Sequence, residues 1–337
     1  MSRLSYADQD KPGITRRKAG HGWAYFNPDG TRIKDRDEID RLNAIALPPA
    51  YTDAWFAPSP NSHLLAYGFD AKGRKQYRYH PDFRATRESV KYDSLAAFGK
   101  ALAKLRKRVA KDVARRKPTR ERAVASVVRL LDGGEIRIGN QAYAKSNKSF
   151  GATTLLMRHV KRNRGKLELR FRAKSGKEAQ VEVTDKSLLR FVRDMQDLPG
   201  QHLFQYLDNH GEACPVSSDD VNAYIREAMG EDFTAKHFRT WAASVCGFSL
   251  ILADERHVGV KELATAVSCR LNNTPAVSRK SYIHPAVTAL AQDPKAQDKL
   301  RRKAKLPRAR TFMTPHERAF LAFIAKAPKA KTLLKKL

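Results

Sequence analysis

LAAFGKALAKLRKRVAKDV, running from Leu95 to Val113, is where the chain changes its period. Leu95, Phe98, Leu102, Leu105, Val109 and Val113 recur at steps of three or four, which lays one apolar stripe along an α-helix. The other face is basic, with Lys104, Arg106, Lys107, Arg108 and Lys111, followed by Arg115, Arg116 and Lys117. Such a run can track phosphates, although a charged helix face is ordinarily just the solvated side. Pro118 separates this helix from a second, Thr119 to Leu131, which stops at Asp132-Gly133-Gly134, residues that terminate helices. Upstream the signals are those of strands and downstream mostly those of helices. The expected fold is therefore α+β: a small β-rich N-terminal domain over 1–90, a mostly α-helical domain with a small hairpin sheet over 91–300, and a basic tail over 301–337.

Working toward the N-terminus, residues 20 to 90 read as β-rich. A hairpin is expected from Trp23 to Ile33 around the turn formers Asn27-Pro28-Asp29-Gly30. A second runs from Leu64 to Tyr79 and reverses at Asp70-Ala71-Lys72-Gly73. Its return arm puts Gln76 and Arg78 on one face and Tyr77 and Tyr79 on the other. This mixture suits a surface that meets a DNA backbone, and equally a small sheet with aromatic packing on one side. Working toward the C-terminus, strands near Leu167 to Arg172 and Gln180 to Thr184 are joined by Ala173-Lys174-Ser175-Gly176-Lys177. From Ser187 to about Leu300 everything reads as helix. The final stretch offers one short helix around Glu317 to Ala325 and no evident chemistry.

Charge narrows the partner. The 337 residues hold 65 Lys+Arg against 35 Asp+Glu, a net +30, and the pI is near 10.2. A polyanion is implied, nucleic acid before membrane. The longest apolar run, Trp241 to Ala253, is broken by Ser244, Gly247 and Ser249 and is too short to span a bilayer, so it reads as a buried helix. The N-terminus lacks the apolar segment of a secretory signal, and a cytoplasmic, nucleoid-associated location is expected. Cys214, Cys246 and Cys269 are far apart and read as reduced thiols, and Cys214 with His210 reads as a chance pairing rather than a metal site. No G-x-x-x-x-G-K-[ST] loop and no acidic cluster for paired magnesium ions is evident, so neither a nucleotide cofactor nor a metal is expected. Cutting a phosphodiester without a metal needs a nucleophile, cationic donors for the phosphoryl oxygens and an acid for the leaving oxygen.

Four motifs meet that requirement in order: Gly134-Glu-Ile-Arg137-Ile-Gly139-Asn, Phe171-Arg-Ala-Lys174, Lys236-His-Phe-Arg239-Thr240-Trp, and Asn273-Thr-Pro-Ala-Val-Ser-Arg-Lys-Ser-Tyr282. Together they resemble the catalytic motifs of the type IB DNA topoisomerases of the bacterial, poxvirus-like kind. Pro48-Pro-Ala-Tyr51-Thr52-Asp and Asp70-Ala-Lys-Gly73-Arg-Lys-Gln76-Tyr77-Arg-Tyr79 resemble that family's DNA-clamping domain, so the resemblance covers about residues 20 to 295. It implies that Tyr282 is the nucleophile that takes the 3′ phosphate, that Arg137 and Arg239 clamp the phosphate, and that Lys174 is the general acid, with Lys177 its rival. Gln76, Tyr77, Tyr79 and Tyr143 match DNA contacts. It also implies duplex DNA as partner and a monomer. A guanidinium fork suits the clamp because it stays charged and donates two parallel bonds. Burial beside the two arginines would ease proton release from Lys174.

Two departures stand out. Asn273 replaces the His found nine residues before the tyrosine in poxviral and eukaryotic relatives. Its amide can donate to a phosphate oxygen but brings neither charge nor proton. Asn272 stands where the family usually has Gly, which puts the geometry of that turn in question. Thr274-Pro275 reads as an N-cap and first helical residue, placing Tyr282 about two turns into the helix, with Pro285 ending or kinking it. A tyrosine site-specific recombinase shares the layout, but carries His three residues before the second arginine, where this chain has Lys236. A noncatalytic basic DNA-binding protein would also account for the charge.

Overall fold

The computed structural model describes residues 4–134, 136–163, 165–196, 198–303 and 305–337. The chain forms two compact units, one through Val90 and one from Lys91 to Leu337. The first is built on an antiparallel sheet of five strands in the order β2-β1-β3-β4-β5: β1 Ile14–Ala19, β2 Gly22–Phe26, β3 Thr52–Phe56, β4 Leu64–Phe69 and β5 Lys75–Tyr79. Ile14, Tyr25, Leu42, Leu47, Phe56 and Ala66 are its buried core. Helix α1, Arg36–Ala44, follows β2 and is capped by the Asp35 carboxylate, which accepts from the Asp37 amide. Helix α2, Pro81–Asp93, follows β5. Both helices lie in a stretch expected to be β-rich, because their apolar faces are too sparse to announce a helical period.

The turn at Asn27 forms, with the Gly30 amide donating to the Asn27 carbonyl over 2.9 Å. The expected hairpin around it forms as a short one, with Phe26 bridging Arg32, the Asn27 amide donating to the Thr31 carbonyl (2.8 Å) and the Ile33 amide to the Tyr25 carbonyl (2.9 Å), while β2 also pairs with β1. The β1 sequence ITRRKA is basic, which hides its alternation. The second hairpin is as read. β4 pairs β5 with Tyr67 opposite Tyr77 and Gly68 opposite Gln76, and the Asp70 carbonyl accepts the Gly73 amide over 2.8 Å.

The second unit surrounds one apolar core. Its helices are α3 Leu95–Val113, α4 Arg120–Gly134, α5 Gln141–Asn147, α6 Lys186–Met195, α7 Ser218–Met229, α8 Lys236–Ala253, α9 Val260–Leu271, α10 Pro275–Ser281, α11 Pro285–Gln292, α12 Pro294–Lys303, α13 Pro315–Ile324 and α14 Ala330–Leu334. All six apolar residues read as the stripe of α3 are buried. Gly99 lets α3 touch α8, since a Cβ there would lie 2.4 Å from the Trp241 ring. The α8 helix buries half of its 18 residues, Trp241, Phe248 and Ile251 among them, and no described helix is long and apolar enough to cross a membrane.

Three expectations are corrected. The hairpin sheet has a third strand: β6 Val160–Asn163 joins β7 Lys166–Arg172 and β8 Glu178–Val183. The stretch read as all helix contains a two-stranded sheet, β9 Gln205–Leu207 with β10 Ala213–Pro215, strands too short for a period to register. The final stretch, expected as a basic tail with one short helix around Glu317 to Ala325, carries that helix as α13 but packs it into the core. Phe320, Ile324 and Ala330 are buried, and Glu317 bonds Arg106 over 2.7 Å and the Trp241 indole over 3.0 Å. Arg106 also pairs with Asp132, Arg108 with Glu227 and, just past the end of α3, Arg115 with Asp112, so part of this basic run serves internal ion pairs rather than phosphate.

Candidate active site

The tyrosine is presented by a break between helices. α9 ends at Asn272, which adopts the left-handed conformation, φ 49° and ψ 53°. Asn is among the few residues other than glycine that tolerate it, so the turn survives without Gly. The Asn272 amide group also donates to the Glu178 carbonyl over 2.9 Å, tying the turn to β8. Thr274 caps α10 by accepting from the Val277 amide, and Pro275 opens the helix, as read. Tyr282, however, is the C-cap of this seven-residue helix, with non-helical φ −130° and ψ −33°. Pro285 starts α11 instead of ending the helix of Tyr282, behind the His284 N-cap. On the far side Ser244 of α8 accepts the His284 amide (2.9 Å) and lies 3.3 Å from the Tyr282 carbonyl.

Two arginines converge on this tyrosine. Arg239, on α8, is 5% exposed, donates to the Leu271 carbonyl over 2.9 Å, and holds its guanidinium 5.0 Å from the centre of the Tyr282 ring. Arg137 comes from the loop after α4 and donates to the Asn273 side-chain oxygen over 2.7 Å. That loop is fixed by backbone bonds, Ala152 to the Arg137 carbonyl and Thr153 to the Ile138 carbonyl. The backbones touch at Gly151, where a Cβ would lie 2.5 Å from the Gly139 nitrogen and 2.6 Å from the Arg137 oxygen. With its oxygen engaged, Asn273 keeps a buried Nδ2 that has no hydrogen-bond partner among the described residues. Burial by itself pushes the Tyr282 phenol up, but the charges of Arg239 and then Arg137, with hydrogen bonds from both, outweigh it and hold the phenol below its ordinary value.

Arg137 and Arg239 open onto a cavity of about 500 Å³ whose walls include Phe150, Phe171, Ala173 and Asn272. Ala173 brings the β7–β8 hairpin to this wall. Lys174 is exposed in the turn Lys174–Gly176, where Ser175 takes φ 66°. Lys174 is thus not buried beside the arginines, the condition that would ease its proton release. Lys177 is exposed as well. Tyr143 lies on α5, 50% exposed. In the first unit Tyr77 and Tyr79 stack at 5.7 Å on the edge strand β5, 42% and 37% exposed, so the aromatic face is not packed away. Gln76 bonds the Asp70 carboxylate over 3.0 Å. Sequence reasoning missed Ser244, and also Lys91 and Tyr92, which bond the backbone just before Tyr282. All act through main-chain groups and leave no motif.

The family follows from comparison with known proteins. Residues 80–307 match the family "Eukaryotic DNA topoisomerase I, catalytic core", and residues 22–70 match "Bacterial DNA topoisomerase IB, N-terminal domain". The chain belongs to the type IB DNA topoisomerases, isomerases that act on DNA. The DNA topoisomerase 1B of Acanthamoeba polyphaga mimivirus is 32% identical over 285 residues, spanning 80% of this chain and 85% of that relative.

Proposed function

We propose that the enzyme relaxes supercoiled duplex DNA by opening one strand with Tyr282, in a cycle that needs neither ATP nor a metal ion. The Tyr282 oxygen attacks phosphorus and passes its proton to solvent water while the bond to the 5′ oxygen breaks. Lys174 supplies the proton that the 5′ oxygen takes, leaving a 3′-phosphotyrosine and a 5′ hydroxyl. The nicked strand swivels, and the same steps in reverse reseal it. Phosphodiester energy is kept in the covalent link, so supercoiling strain alone drives the cycle. Arg137 and Arg239 hold the nonbridging oxygens as charge builds there, and Asn273 donates its free Nδ2 to one of them. Gln76, Tyr77 and Tyr79 of the first unit, with Tyr143, contact the DNA backbone. One chain supplies the whole set, which supports a monomer.

The observation that carries this reading is the placement of the Tyr282 ring against Arg239, with Arg137 locked onto Asn273 beside it. A recombinase reading would want an imidazole at the phosphate. His237 instead stacks on Phe98, ring centres 5.5 Å apart, and accepts the Thr234 amide. The test is relaxation of supercoiled plasmid in EDTA without ATP. Tyr282→Phe is expected to bind DNA as the wild type does and to relax none; a Phe variant that still relaxes plasmid removes Tyr282 from the chemistry.

A further inference from the structure

The backbone just ahead of Tyr282 is held by two residues outside every motif above. Lys91 Nζ donates to the Ser281 carbonyl over 2.9 Å, and the Tyr92 hydroxyl reaches the Lys280 carbonyl at 3.4 Å. Tyr92 is 1% exposed. Its ring meets that of His284 edge-on, centres 5.6 Å apart, and the His284 side chain bonds the Tyr92 main chain. The Lys91 ammonium lies 4.0 Å from the centre of the Tyr92 ring. Asp93, next in line, accepts the Ala330 amide over 2.9 Å. The last turn of α2 thus grips both sides of the nucleophile.

The need for that grip follows from the helix that carries Tyr282. The last carbonyls of any helix lack an internal partner, and α10, at seven residues, is far too short to be stable by itself. An ammonium at its C-terminal end satisfies one carbonyl and meets the negative end of the helix dipole. A hydroxyl satisfies the carbonyl before it. Tyr282 then leaves the helix at a fixed angle.

We infer that Lys91 and Tyr92 are positioning residues for the nucleophile, which fix the end of α10 so that the Tyr282 hydroxyl stays aligned with Arg239. This rests on the assignment of Tyr282 above. The test is single-turnover cleavage of a nicked-end duplex that loses its 5′ fragment, at saturating DNA, with DNA affinity and melting temperature measured on the same full-length proteins. Lys91→Ala is expected to slow cleavage between about 10- and 100-fold, the scale of a misplaced reacting group, while DNA affinity changes less than about twofold, since no phosphate contact is lost. Lys91→Arg restores most of the rate, and Tyr92→Phe shows a smaller loss of the same kind. Should Lys91→Ala fold poorly, Lys91→Met keeps an unbranched apolar stem of similar length, removes the donor and is read in the same way. The inference is overturned by an unchanged rate, by a loss confined to DNA affinity, or by a loss that tracks melting temperature and is not restored by Arg. Tyr282→Phe runs alongside: cleavage by that variant would sink the nucleophile assignment itself, whereas a dead Phe variant beside a fully active Lys91→Ala would sink only the positioning role.

Discussion

Lys174 is the residue whose surroundings differ most from its proposed task. A departing 5′ alkoxide needs a proton, and an exposed lysine at a hairpin tip can deliver one only when the turn is brought to the phosphate. Position and acidity can be separated by changing the leaving group. Lys174→Ala is expected to slow cleavage of ordinary DNA by about 10²–10⁴-fold, the usual worth of a general acid. A substrate with sulfur in place of the bridging 5′ oxygen departs as a thiolate, whose parent thiol has a pKa of about 8.5, and should be cut by Lys174→Ala at nearly the wild-type rate. Arg239→Ala should gain nothing from sulfur, because its role is charge on the nonbridging oxygens. If sulfur fails to rescue Lys174→Ala, the acid lies elsewhere, with Lys177 next to be tested. The residues proposed to touch the reacting phosphate are legible because the chemistry demands particular types beside recognisable helix breaks, Gly133-Gly134 before Arg137 and Asn272 to Pro275 before Tyr282. Ser244, Lys91 and Tyr92 are not, since any donor can serve a backbone carbonyl. The question that Asn272 raises about the turn has a related answer: the site asks for a left-handed backbone, not for glycine as such.

Elements with a strong period were readable and short ones were not. The α3 helix is announced by six apolar residues on one stripe, whereas β9 and β10 are three residues each. The α13 helix falls where one short helix is expected within a basic tail, because lysines and arginines surround it, yet its capping box runs from the exposed Thr314 to a buried Glu317. The Glu317 carboxylate is driven up by burial, but its bonds to Arg106 outweigh this and hold it below its ordinary value. A carboxyl whose folded pKa is depressed contributes stability that is present above the unfolded pKa and is lost as pH falls through the folded one. Glu317→Gln is therefore expected to cost about 2 kcal/mol at neutral pH, the worth of hydrogen bonds to a charged group, or roughly 4–8 °C in melting temperature. The gap between variant and wild type should close as pH drops below about 4.5, the ordinary value for the group. A gap that stays constant into acid would mean that Glu317 contributes shape and not charge.

At the scale of the whole molecule the governing quantity is a net charge of +30 on 337 residues. Ion pairs internal to the second unit, as at Arg106, Arg108 and Arg115, are neutral and leave that excess to the other lysines and arginines. These leave a surface that a polyanion neutralises by displacing its own condensed counterions, and each phosphate so contacted lowers log K by about 0.9 per log unit of salt. For a footprint of about six phosphates the slope is near −5, and affinity falls about a thousandfold between 50 and 200 mM salt. The Tyr282→Phe variant should give the same slope, because the phenol hydroxyl adds no charge to the ground-state complex. Arg137→Ala should flatten the slope by about one phosphate. Titrating a fluorescent duplex across that salt range with all three proteins decides the point. A slope shallower than about −2 would mean that the excess charge serves solubility, and that the grip on DNA comes from the stacked tyrosines of β5 and other uncharged contacts.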